Sequence, residues 1–189
     1  MITVTKMKQT TRYLVLSFFL LLGSSFASRL HAQFYAVQID AVKAATATFN
    51  VEGSMLVSEH WTLHLGGSYN PWTFREDKKV KHLLIRPGAR YWFWQTYAGS
   101  FISMYGMTGL YNTAWGGKYR YEGWGGGAGV SYGRAWLLGK RWNLEIEGGL
   151  GLFITRYTKY RCGNCGEKLD TGTFYLPSPK AALNLVYLF

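Results

Sequence analysis

From Trp142 to Ile154 the side chains alternate in character. Trp142, Leu144, Ile146, Leu150, Leu152 and Ile154 fall on one face, and Asn143, Glu145, Glu147, Gly149 and Gly151 on the other. A period of two marks an extended strand, because successive Cβ atoms point to opposite sides of the backbone. A helix would scatter the two glutamates among the leucines. The same pattern recurs along the chain. Tyr35, Val37, Ile39 and Ala41 oppose Gln38 and Asp40, and Ala47, Phe49, Val51, Met55 and Val57 oppose Thr46, Thr48, Asn50, Glu52 and Ser54. Trp61, Leu63, Leu65 and Tyr69 oppose Thr62, His64, Ser68 and Asn70, while Leu83, Ile85, Ala89, Tyr91 and Phe93 oppose Arg86, Gly88 and Arg90. Segments 99–113 and 122–137 are strand-like but dense in glycine and aromatics, and 179–189 is the last alternating run. The spacing predicts about eight strands of roughly 8–15 residues.

Such strands need a partner for their apolar faces. Lipid is the expected one, because a tilted membrane-spanning strand takes about 9–11 residues and its backbone groups then require a closed sheet. The connections also sort by length. Ser58–His60, Gln95–Ala98 and Leu138–Lys140 are short; Pro71–Val80, Trp115–Tyr121 and Arg161–Ser178 are longer, with a short connection around Lys43–Ala45 as the exception. Short periplasmic turns and long external loops are the habit of outer-membrane barrels. Aromatics gather near segment ends (Trp61, Tyr69, Trp72, the Tyr91–Trp94 run, Trp115, Trp124, Trp136, Trp142), as expected of rings that favour membrane–water interfaces. The expected fold is an all-β, closed antiparallel transmembrane barrel of about eight strands.

Residues 1–32 are set apart as a signal peptide. Lys6, Lys8 and Arg12 precede the apolar run Tyr13–Leu22, which is too short for a spanning helix, and small residues follow. Cleavage falls after Ala27 or, preferably, after Ala32, leaving residues 33–189 as the barrel domain. Those four basic residues removed with the peptide (Arg29 is the fourth) leave 17 basic against 10 acidic side chains. No run of five basic residues occurs, which argues against nucleic acid as a partner. At the other end Ala181, Leu183, Leu185, Tyr187 and Phe189 share one face and the sequence stops on the aromatic. This strand resembles the C-terminal signal that barrel-assembly machinery recognises in outer-membrane proteins, so that machinery and outer-membrane lipid are the expected partners.

Several phrases carry a wider resemblance: Gly67–Phe74 (GSYNPWTF), Arg86–Phe93 (RPGARYWF), Tyr119–Trp124 (YRYEGW), Gly129–Gly133 (GVSYG), Lys140–Glu145 (KRWNLE) and Cys162–Lys168 (CGNCGEK). Together, over residues 36–189, they resemble an uncharacterised family of outer-membrane proteins from gut and oral Gram-negative bacteria, often encoded near fimbria genes. The resemblance implies an eight-stranded barrel in the outer membrane and a role with surface-fibre proteins. It implies no activity, cofactor or catalytic residue.

If the apolar faces meet lipid, the interior receives Asp40, Glu52, His64, Arg86, Arg90, Glu145, Glu147 and Lys180. An eight-stranded barrel has an interior just wide enough for its own side chains, and charges held there must pair. A salt-bridged plug is expected, with a small gated pore as the alternative. Cys162 and Cys165 form a Cys-x-x-Cys pair in a loop; an oxidising compartment favours a disulfide, while a metal site would want four ligands. Gly123-x-Gly125-x-x-Ala128 mimics a dinucleotide fingerprint, but no helical pattern follows it, so glycine there is expected to leave room for bulky neighbours. No cofactor is expected. Trp72, Phe74 and Arg75 are candidate external contacts. A lipid-acting enzyme would need a histidine beside a serine at the outer rim; His60 and His64 are poorly placed for that, and His82 is better placed but lacks a neighbouring serine. A non-enzymatic structural, surface-binding or fimbria-assembly role is the leading expectation.

Overall fold

A computed structural model describes residues 34–73, 79–114, 119–161 and 167–189. Residues 1–33, which include the expected signal peptide, and Phe74, Arg75, Cys162 and Cys165 lie outside the described residues. Eight strands follow one another: β1 (Tyr35–Asp40), β2 (Phe49–Ser58), β3 (Trp61–Asn70), β4 (Lys79–Trp92), β5 (Gly99–Ala114), β6 (Arg120–Leu137), β7 (Trp142–Tyr160) and β8 (Lys168–Leu188). Each pairs antiparallel with the next, and β8 pairs with β1, so the sheet closes on itself. The period-two pattern emerges as alternating exposure: Trp61, Leu63, Leu65 and Tyr69 point outward, while Thr62, His64, Ser68 and Asn70 are buried inside.

Two expected boundaries move. Ala41 does not extend β1; Asp40 accepts the Val42 amide at 3.0 Å and caps a single helical turn, α1 (Ala41–Ala45), so the pattern over Thr46–Thr48 belongs to the turn. The expected loop Arg161–Ser178 is shorter, because β8 begins at Lys168. Pro177 and Pro179 lie inside this strand. They fit a strand because β8 bonds to β7 through even-numbered residues, as Leu188 does to Arg141, whereas Phe189 bonds to Tyr35 on the other side. Odd positions such as 177 and 179 therefore turn their missing N–H away from β7. Strand lengths consequently run from 6 residues in β1 to 21 in β8, a wider span than expected.

Register fixes the shape. The row Ala36, Ser54, His64, Gly88, Tyr105, Gly129, Gly151 and Ser178 runs round the sheet, yet Ala36 meets β8 at Leu188, ten residues further along. With ~3.3 Å per residue and ~4.8 Å between strands, that stagger tilts eight strands by about 40°. Both described chain ends and the connections 59–60, 93–98 and 138–141 lie at one end, here the turn end. The opposite, loop end carries α1, the last residues of β3, β5 and β7 and the first of β4, β6 and β8.

Candidate functional site: a charged and aromatic interior

The interior is built in two layers. At the turn end, Ala36, Trp92, Tyr97, Phe101, Ala135, Val186 and Leu188 form an apolar cluster. Trp92 and Phe101 rings sit 4.7 Å apart, and the Trp92 indole donates to Thr62 Oγ1 at 3.1 Å. This corrects the assignment of Trp92 to an interfacial girdle: it is fully buried, because its position continues the inward series Arg86, Gly88, Arg90. Tyr97 adopts φ 64° in the β4–β5 turn, which tucks its ring inward. Its hydroxyl lies 3.3 Å from Ser54 Oγ, and its carbonyl accepts from Asn143 Nδ2 at 2.6 Å. Nothing in the local pattern around Tyr97 marked it, since a turn residue has no strand face.

Above that layer the charges meet on one guanidinium. Arg90 lies 2.6 Å from Glu52, 3.5 Å from Glu145 and 3.5 Å from Glu147, and donates to Gln38 Oε1 at 3.2 Å. Its cation also sits 5.0 Å from the Phe101 ring centroid, joining the two layers. Lys180 and the Ser131 hydroxyl both bond Glu147, and Gln38 donates to Glu52 at 2.9 Å. Arg is suited to this because one planar guanidinium presents five donors, enough for several carboxylates at once. Arg90, Glu145 and Glu147 are buried, from two strands, β4 and β7, that are not neighbours in the sheet.

The remaining members of the expected network sit at its margin. Asp40 pairs with Lys43 at 3.3 Å and caps α1, so it serves the β1–β2 connection. His64 is buried against Gly88, where a Cβ would collide with its ring. Arg86 lines the residual cavity with Asp40, Glu52, Glu147 and Lys180; that cavity measures about 10 Å3, room for roughly one water.

Glycine explains how large side chains fit. The inward positions of β6 include Gly123, Gly125, Gly127, Gly129 and Gly133. A Cβ on Gly129 would come within 2.6 Å of Tyr105, and one on Gly125 within 2.7 Å of Phe153. The motif resembling a nucleotide fingerprint is thus strand, with its glycines lying under neighbouring rings.

On the outside, the described face is apolar throughout its middle. Val51, Leu65, Leu150 and Leu152 are each more than half exposed. Aromatics flank it: Trp61, Tyr91, Trp136, Trp142 and Tyr187 towards the turn end, Tyr69, Trp72 and Trp124 towards the loop end. Trp72 donates its indole N–H to Ala47 at 2.6 Å and packs 6.1 Å from Phe49, tying β3 to the β1–β2 connection. His82 sits in register with Asn70 and Tyr111. Among the described residues no group of three metal-ligating side chains occurs, and no helix is long and apolar enough to cross a membrane.

A family model described as "protein of unknown function (DUF3575)" matches residues 16–189. No curated protein and no solved structure matches the chain.

Proposed function

This chain belongs to the DUF3575 family of proteins of unknown function, and from its closed sheet and ion-paired interior we propose that it is an outer-membrane barrel with a structural, anchoring or surface-binding role rather than a catalytic one. One observation carries the reading. The lower interior is closed twice over, by the Trp92–Phe101 layer and by the Arg90 cluster, with a cavity of only about 10 Å3 beside the charges, while a pocket of about 600 Å3 lined by Asn70, His82 and Tyr111 opens at the loop end. Conduction needs a continuous path through the interior, which these layers block; such a rigid plug suits a barrel whose work is done on its outer surface and loops. The apolar outer face flanked by aromatics supports lipid as the surrounding solvent, since monomeric soluble proteins rarely expose contiguous apolar patches of such size. The last strand is sealed to the first, with the Phe189 amide donating to the Tyr35 carbonyl at 2.9 Å, in keeping with delivery by barrel-assembly machinery through that strand. Surface-fibre assembly is the form of this work that the sequence resemblance suggests, and the signal peptide provides the route of export.

The test joins location to conductance. Outer-membrane fractionation with boiled and unboiled gel migration should give a membrane-bound, heat-shifted band, and planar bilayers should show no large stable channels. A soluble periplasmic protein without a heat shift overturns the membrane reading. Large steady conductance overturns the plug.

A further inference from the structure

The two layers fill only the lower interior. Inward positions continue up β8 beyond Lys180, because its pairing with β7 is unbroken from Tyr187 to Asp170 and Ala182, Asn184, Val186 and Leu188 are all buried. By that alternation Leu176 and Phe174 also face inward, yet they are 48% and 47% exposed. Leu176 pairs across with Phe153, and the row continues through Gly127 to Met107. Phe174 stacks on Tyr157 with centroids 4.4 Å apart. An apolar concave surface therefore lies above the charges, and its inward side is open.

The low neighbouring wall explains the exposure. β1 pairs with β8 only from Ala36–Leu188 to Asp40–Asn184, whereas β8 runs sixteen residues further, to Lys168. At ~3.3 Å per residue and a tilt of about 40°, those residues climb roughly 40 Å past the point where β1 stops. Among the described residues, α1 packs against β8 on that side. The edge so formed is adapted to remain unpaired: its odd positions 177 and 179 are prolines, which present no N–H. An open edge is tolerated at membrane depth only where it is covered. The outward neighbours at the same level, Ile154 and Tyr175, are exposed and apolar too, so the cradle and the outer face join around this edge.

We propose that the inward face of Phe153, Phe174 and Leu176, opening sideways over β1–α1–β2, holds one acyl chain of a membrane lipid. Its apolar surface matches a hydrocarbon chain, the lateral opening meets the hydrocarbon directly, and the buried charges of Lys180 and Glu147 close the floor below it. The inference rests on the membrane reading above.

The full-length protein, reconstituted in nanodiscs with phospholipid carrying a diazirine on one acyl chain, tests it. After irradiation, residue-resolved mass spectrometry should find label on inward Phe153, Phe174 and Leu176 as well as on outward Leu150, Leu152 and Ile154. Leu176→Asn should lose the inward label while retaining the outward label and the heat shift. Outward label alone overturns the acyl site and leaves the membrane reading standing. No label on either face overturns both.

Discussion

Replacing Arg90 by leucine tests the plug most directly. The substitution removes the cation that lies within 3.5 Å of Glu52, Glu145 and Glu147. Lys180 still holds Glu147, so two carboxylates, Glu52 and Glu145, lose the cation they are paired with. Breaking a buried ion pair from one side costs about 3–5 kcal/mol, because the charge left behind is neither solvated nor paired. Two are stranded here, but Glu52 keeps the Gln38 amide at 2.9 Å, and carboxylates can take up protons, so the lower half of that range applies. With a urea slope of about 2 kcal/mol/M, a loss of about 4 kcal/mol moves the unfolding midpoint down by about 2 M. The assay is urea titration of the folded protein in detergent, followed by unboiled gel migration and tryptophan fluorescence. The triple variant Arg90→Leu, Glu52→Gln, Glu145→Gln should recover most of the loss, since neutral amides carry no stranded charge. An Arg90→Leu protein with an unchanged midpoint would refute the ion-paired core; a triple variant no more stable than the single would refute stranded charge as the cause.

Other outcomes follow from particular contacts. Trp92→Ala should lower stability by about 3–5 kcal/mol by leaving a cavity in the turn-end layer, yet bilayer conductance should stay low because the Arg90 cluster above remains closed. Gly133→Val places atoms where the Phe101 ring and the Ile146 carbonyl lie and should destabilise by about 1–3 kcal/mol, read from the same urea midpoint. Leu150→Arg, on a side chain 68% exposed on the outer face, should cost about 2–4 kcal/mol if that face meets lipid; an indifferent unfolding midpoint in lipid bilayers speaks against insertion. Peptides containing Cys162 and Cys165, prepared without reduction, should be lighter by two hydrogens if the pair forms a disulfide.

The alternation of β2, β3, β4 and β7 was legible residue by residue, because a strand with one apolar and one polar face writes its orientation directly into a period of two. Together with the runs of β1 and β8 it put all eight charged or titratable residues on polar faces, and lipid as the expected solvent made those faces the inside of a closed sheet. Boundaries near prolines were less legible. The last strand was expected from 179, with Pro177 in the loop before it, yet β8 begins at Lys168; whether a proline removes a ladder bond depends on which side of the strand carries a neighbour, and that is a property of the sheet. The glycines of β6 carried a hint of crowding, without naming Phe101, Tyr105 or Phe153 as the rings involved.

Local pattern alone therefore determined the class of fold, the two faces of each strand and the list of interior charges. Only the tertiary structure decided that Arg90 is the shared cation, that Asp40 leaves the cluster to cap α1, that Trp92 and Tyr97 seal the turn end, and that β8 outruns β1. The reason is the stagger. A period of two says which side a residue faces, but the ten-residue offset on closure sets the height at which it meets its neighbours. Height is what brings Glu52, Arg90, Glu145 and Glu147 together and leaves Phe174 and Leu176 above the top of neighbouring β1.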